Sequence, residues 1–272
     1  MTIPVRGRAT PLTGGQSYRW AILNEGVAWL AAASPTHSID VQAAARTVTL
    51  CSGVTADASG DTSASAAIQT CIDATPYGGT LELPAGVYRI ASELQFTRPL
   101  TLRTAGTSGV AANCIELGGP ACAIFRADAN LSVPRGFVRF GATTAVTLDH
   151  VVLDGNRGAR LSSAAAATCA DGSNGAGFNA ATAGCTGCAF TRGVSARALC
   201  GTGWEWNGDQ ATFTHDVFRE NGSHAVTNMW SDGLTLLQSN GASVTASRFV
   251  DNSDVDLIFG GGTSATLANN SI

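Results

Sequence analysis

Three aspartates, Asp232, Asp254 and Asp256, have a type and spacing that can do chemistry: the first lies 22 residues before the second and 24 before the third. If the chain winds in coils of about 23 residues, all three reach similar positions on adjacent coils, whose strands lie ~4.8 Å apart. Carboxylates that close repel, at least one holds its proton to a higher pH, and an acid and a base then share one surface. Asp232 and Asp254 are the candidates for activating water and Asp256 is the candidate acid. Glycoside hydrolysis needs such a pair, with carboxyls about 6.5 to 9.5 Å apart when one of them activates water. The same oxygens suit Ca²⁺, which would serve a lyase in which an arginine removes the proton α to a uronate carboxyl. The plain alternative is a set of Asx-turns at strand ends, a role that Asp251 and Asn252 suit.

Other side chains extend the patch. Trp204 and Trp206 fall on one side of a strand and, with Trp230, can floor a groove on which sugar rings stack; core packing is the alternative. Glu205 points the other way and is a runner-up acid. His224 precedes the acidic patch and is a candidate substrate contact. Arg219 and Arg248 are candidates for pairing with uronate carboxylates. His215 occupies a repeat position held by His150 in one copy and Ala246 in another, which reads as structural.

The elements that must position these residues are short strands punctuated by Gly, Asn and Asp. Copies of one pattern stand at "TLDHVVLDGN", "TFTHDVFREN" and "SVTASRFVDN", with "ATLANNSI" at the end. Anchored on Leu153, Phe218, Phe249 and Ile272, the last two intervals are 31 and 23 residues. Intervals near the low twenties with a turn Asn fit a parallel β-helix, in which each coil buries its inward side chains against the next. Between Leu153 and Phe218, "RLSSAAAATCADGSNGAGFNAATAGCTGC" reads as a disulfide-pinned surface loop. Upstream, Thr62 and Ser63 are placed to cap a helix with apolar positions Ala66, Ala67, Ile68, Cys71 and Ile72, stopped at Tyr77, Gly78 and Gly79. That helix can cover an open end of the solenoid.

The segment "TSASAAIQTCIDATPYGGTLELPAGVYRI" resembles the opening of the pectate-lyase-like superfamily of right-handed parallel β-helices. The resemblance, with the downstream coils, covers roughly residues 50 to 272. It implies an all-β right-handed parallel β-helix with a short amino-terminal capping helix, and a polysaccharide as substrate. "WSDGLTLLQSNGASVTASRFVDNSDVDLIFGGG" is similar in layout to the central motifs of polygalacturonase-type glycoside hydrolases, Asn-Thr-Asp-Gly followed one coil later by Asp-Asp. Asp232 and Gly233 fall on the Asp-Gly, Trp230 and Ser231 on the Asn-Thr, and Ser253 and Asp254 on the aspartate pair. The similarity implies a glycoside hydrolase using paired aspartates. A Ca²⁺-dependent lyase, and a non-catalytic adhesin or trimeric tailspike-type fibre, share the same opening.

Composition narrows the field. The 16 basic residues are all arginine, so lysine Schiff bases and Walker-type lysines are excluded. A net charge of −4 argues against nucleic acid as a partner. Eight cysteines, four histidines and no paired metal-ligand spacing read as disulfides of an oxidising, extracellular compartment, with Cys51–Cys71 and Cys114–Cys122 as local pairs. Residues 1–45 read as a leader or extension, with an amphipathic helix over 20–33 as the alternative; that apolar run is too short and polar to span a membrane. Residues 46–272 read as the β-helix, cut within a repeat at Ile272.

Overall fold

The computed structural model describes residues 47–57, 59, 61–118, 121–169 and 175–272, together with the backbone of four strands nearer the amino terminus. Two compact units divide at Arg46 and Thr47. In the first, Gly14–Tyr18 pairs antiparallel with His37–Val41, and Leu23–Asn24 with Ala28–Trp29. The strand pair replaces the helix considered for residues 20–33; the leader expected over 1–45 otherwise lies outside the described residues.

The second unit is three sheets in which every pairing is parallel. One face has eight strands, from Val48–Leu50 to Thr266–Ala268; the other two have six each. Successive strands of the chain visit the faces in turn, which is a parallel β-helix as expected. Ser195, Phe218 and Phe249 are register partners, so the 31-residue interval is one coil. Leu153 pairs with Ser195, however, and the supposed surface loop ends in a further coil with strands Ala180–Ala183, Ala189–Thr191 and Val194–Ala196. That coil presents Ala180, Thr182 and Ser195 where its neighbours present residues such as Trp204, Phe140 and Phe218, and only Phe190 keeps the large apolar size, so the apolar pattern does not reveal it.

Alternate strand residues fill the interior. Phe96, Phe140, Trp204 and Trp206 come from one face, Phe190 and Phe213 from the eight-stranded face, Phe125 and Phe218 from the third, all fully buried. Phe218 and Phe249 lie stacked at 5.1 Å between centroids. Burying each such side chain contributes about 1.5–3 kcal/mol, and edge-to-face contacts such as Trp206 on Phe213 add to it.

The corners explain why the winding repeats. His150, Arg192, His215 and Ala246 all adopt left-handed backbone, with φ of 53°, 53°, 61° and 52°. Their N–H groups donate to Thr191, Thr214, Thr245 and Ala268 on the next coil, which offsets the ~1–2 kcal/mol cost of that conformation. His215 is therefore structural, as its repeat position suggests, and its Nε2 lies 2.9 Å from Glu116. At the next corner the amide of buried Asn221 donates to Asn252 Oδ1 at 2.8 Å, the first rung of an asparagine ladder.

The helix Ser65–Ala74 buries Ser65, Ile68 and Ile72. Its cap residue is Ala64, one position beyond the expected Thr62 and Ser63, and no side chain caps it. Instead the Ser65 hydroxyl accepts the N–H groups of Ala91 and Ser92, tying the helix to the first full coil. Cys51–Cys71 and Cys114–Cys122 pair as expected; Cys169–Cys200 and Cys185–Cys188 complete the set. Among the described residues no helix is long and apolar enough to cross a membrane.

Candidate functional site

Two adjacent strands of one six-stranded face, Gly201–Asn207 and Ser231–Leu237, carry the site. Their large apolar residues Trp204, Trp206, Leu234 and Leu236 point inward, while Thr202, Glu205, Asp232 and Thr235 line a cleft outside. Asp232 and Thr235 are three residues apart and still share the cleft, because strict alternation slips at Gly233. That position must be glycine: a Cβ there would lie 2.4 Å from the Asp256 carbonyl and 2.9 Å from the Asn252 amide. Gly203 is fitted in the same way against Asn221, at 2.7 Å. The asparagine ladder thus occupies the space that two glycines leave, and Asp232 is aimed outward by its glycine neighbour.

The cleft has a volume of about 540 Å³. Besides the four strand residues it is lined by Arg135, Phe178, Asn228, Trp230 and Asp254. Phe178 belongs to a wall added by the segment 160–188, which the Cys169–Cys200 disulfide ties to the start of the strand Gly201–Asn207. Arg160, wholly buried, holds the same wall by donating to the carbonyl of Ala176 at 3.0 Å.

Asp232 is half-buried, and among the described residues no cation touches it. Its Oδ2 accepts the Thr235 hydroxyl at 2.7 Å and its Oδ1 accepts the Val255 N–H at 3.2 Å. Burial pushes its carboxyl above the ordinary range; these two hydrogen bonds pull it down only in part, and the charge of Asp254 pushes it up again. Asp254 is exposed on the next coil and faces the same cleft. Trp230, 55% exposed, stands at the rim.

Several expected members are elsewhere. Trp204 and Trp206 are 0% exposed and packed against Phe140, so the aromatic floor reduces to Trp230. A two-residue period shows which residues share a side but not which side is inside, and the large aromatics took the core. Glu205, opposite them, reached the cleft instead. Asp256 accepts the Asn252 amide at 2.6 Å, extending the asparagine ladder, and does not line the cleft. Asp254 and Asp256 do not share a face because residues 251–256 form a bend; the strand begins only at Leu257. His224 is exposed, 3.9 Å from Asp251, and outside the cleft. Arg219, 3.4 Å from Glu220, and Arg248 lie on the third face.

Sequence reasoning missed Arg135, Phe178, Thr202 and Thr235. Arg135 bonds Glu205 with Nε at 2.8 Å and with Nη2 to both carboxylate oxygens, and its guanidinium lies 5.2 Å over the Phe178 ring. Thr235 was findable as the next outward residue after Asp232; Arg135 sits in a turn three coils earlier and carries no local signal. As for calcium, among the described residues no three acidic, histidine or cysteine side chains gather to hold a metal ion. With Asp256 turned to the ladder, the residues present do not make the cage that Ca²⁺ needs.

No family model matches the chain, and no curated protein does. Solved structures do. A candidate glycosyl hydrolase from Parabacteroides merdae superposes with a TM-score of 0.61 at 11% identity, covering 82% of this chain and 95% of that one. An endo-xylogalacturonan hydrolase from Aspergillus tubingensis gives 0.56 at 14% identity, over 78% of this chain and 54% of the enzyme. At these identities the likeness carries the architecture alone, a parallel β-helix.

Proposed function

We propose that the chain is a secreted glycoside hydrolase acting on a polysaccharide laid along the cleft. The observation that carries this reading is Asp232: a half-buried carboxyl with no basic partner among the described residues, held above the ordinary carboxylate range, beside the exposed carboxylate of Asp254. Two like groups in different environments divide the roles of acid and base. Asp232 donates its proton to the glycosidic oxygen as the bond to the anomeric carbon breaks. Asp254 takes a proton from the attacking water, whose oxygen forms the new bond to that carbon. Thr235 holds Asp232 in place, and Trp230 offers a face for a sugar ring at the rim. The role of acid assigned to Asp256 on spacing alone passes to Asp232. The β-helix shared with the two hydrolase structures is consistent with this reading, and four disulfides fit the oxidising compartment of a secreted protein.

The test is product analysis on a panel of acidic and neutral polysaccharides, with and without chelator. The expected products are new reducing ends without unsaturated sugars, indifferent to chelator and lost in Asp232→Asn. Unsaturated products that vanish with chelator would replace hydrolysis by elimination. A folded chain that binds glycans and releases nothing would leave a binding surface.

A further inference from the structure

Among the described residues, the charges lining the cleft are one cation and three carboxylates: Arg135 against Glu205, Asp232 and Asp254. The cation is already engaged. Arg135 presents its Nε and Nη2 edge to Glu205, and its face covers Phe178. A fork-to-fork pair of this kind is the geometry by which arginine would otherwise grip a sugar carboxylate. The lining stays net negative even when Asp232 carries the proton that an acid needs. Arg219 and Arg248 are on another face and bring no positive charge to the cleft.

Resting on the hydrolase reading, we propose that the cleft takes a glycan free of acidic groups, and that Glu205 is its specificity-determining residue. Glu205 acts twice: it occupies the arginine that would receive a uronate, and with Asp254 it keeps the lining negative against one. A polymer of uronates would bring a carboxylate on every ring into a field of the same sign. An uncharged ring costs no such repulsion and still finds the exposed Trp230 face.

Matched polymers that differ only in charge separate this from the hydrolase reading. The wild-type chain and Glu205→Gln would be titrated with oligogalacturonides and their fully methyl-esterified forms, and with neutral galactan, mannan, xylan and glucan oligomers, by calorimetry at low and high salt. The expected wild-type preference is for uncharged ligands, by roughly tenfold or more over any acidic one, narrowing as salt screens the cleft. Glu205→Gln frees Arg135 and should raise oligogalacturonide affinity about tenfold. The double variant Arg135→Gln, Glu205→Gln should lose that gain while circular dichroism shows the same fold. A wild-type best ligand that is acidic, or a Glu205→Gln chain with unchanged selectivity, overturns the proposal and leaves hydrolysis standing. A folded chain that binds none of the glycans overturns both.

Discussion

Asp154 and Asp232 are both aspartates of the same solenoid, on different faces, and they have opposite surroundings. The side chain of Asp154 is 2% exposed and lies between two arginines, Arg126 at 3.0 Å and Arg197 at 2.6 Å. Burial alone would raise its carboxyl, but the Arg197 hydrogen bond and charge, with the Asn156 N–H and Arg126, hold it below the ordinary range. Asp232 has a hydroxyl and one backbone N–H, with no arginine among the described residues, and rises instead. A carboxylate whose charge is already answered belongs to the scaffold; one whose charge is not answered is free to exchange a proton with something else. A raised carboxyl is not enough by itself. Asp216 is pushed well above its ordinary range by complete burial, yet it faces no cleft and its Oδ1 accepts the Gly193 N–H inside the core.

The largest effect that can break this contrast is on turnover. Asp232→Asn should lower kcat by about 10²–10⁴ on any substrate the chain cleaves, since a positioned acid contributes that much. The same variant should not lose stability: the carboxyl is raised on folding, so its charge opposes the fold at neutral pH and the amide removes that cost. A melting temperature that drops while kcat holds would reverse the assignment.

Asp154→Asn should do the opposite, costing about 2–3 kcal/mol in denaturant unfolding with activity per folded molecule intact. Its pH dependence follows from the sign. Because the folded carboxyl is depressed, its stabilisation is complete above the unfolded aspartate value of about 4 and is lost as pH falls through the lower folded value. Wild type should therefore lose its margin over the variant in acid, and a constant margin down to acid pH would contradict the ion-pair account.

Gly233→Ala tests how the asparagine ladder positions the site. The added methyl meets backbone and amide, so the expected cost is about 1–3 kcal/mol, with kcat falling because Asp232 is moved. The smallest effect sharpens the contrast: Thr235→Val removes the hydrogen bond that lowers Asp232, and the basic limb of the pH–kcat profile should move to higher pH. A limb that moves down or stays would remove Asp232 from the role of acid.

Much of the fold is legible in the sequence because a solenoid repeats its own physics. Phe218 and Phe249 recur one coil apart, and the helix with its Cys51–Cys71 bridge has a strong local pattern. The coil through Ser195 was not legible, since small residues at Ala180, Thr182 and Ser195 thin its apolar signal to Phe190, and the corner column tolerates His, Arg or Ala because its backbone hydrogen bonds, not its side chains, enforce the turn. At the site, Asp232 and Asp254 are readable as a spaced pair, while Asp256 needed knowledge of where the strand starts. Arg135 and Phe178 come from distant segments, and only the winding brings them together.

The fit of Gly203 to Asn221 and of Gly233 to Asn252 also bears on how such a molecule can grow. Duplicating the stretch of gene that encodes one full turn copies the glycine and the asparagine together, and each copy arrives already shaped to nest on its parent. Lengthening is then cheap in mutational steps, and an aspartate beside the glycine is inherited as a passenger. A row of spare carboxylates would become raw material from which selection can open a second reactive groove without disturbing the first.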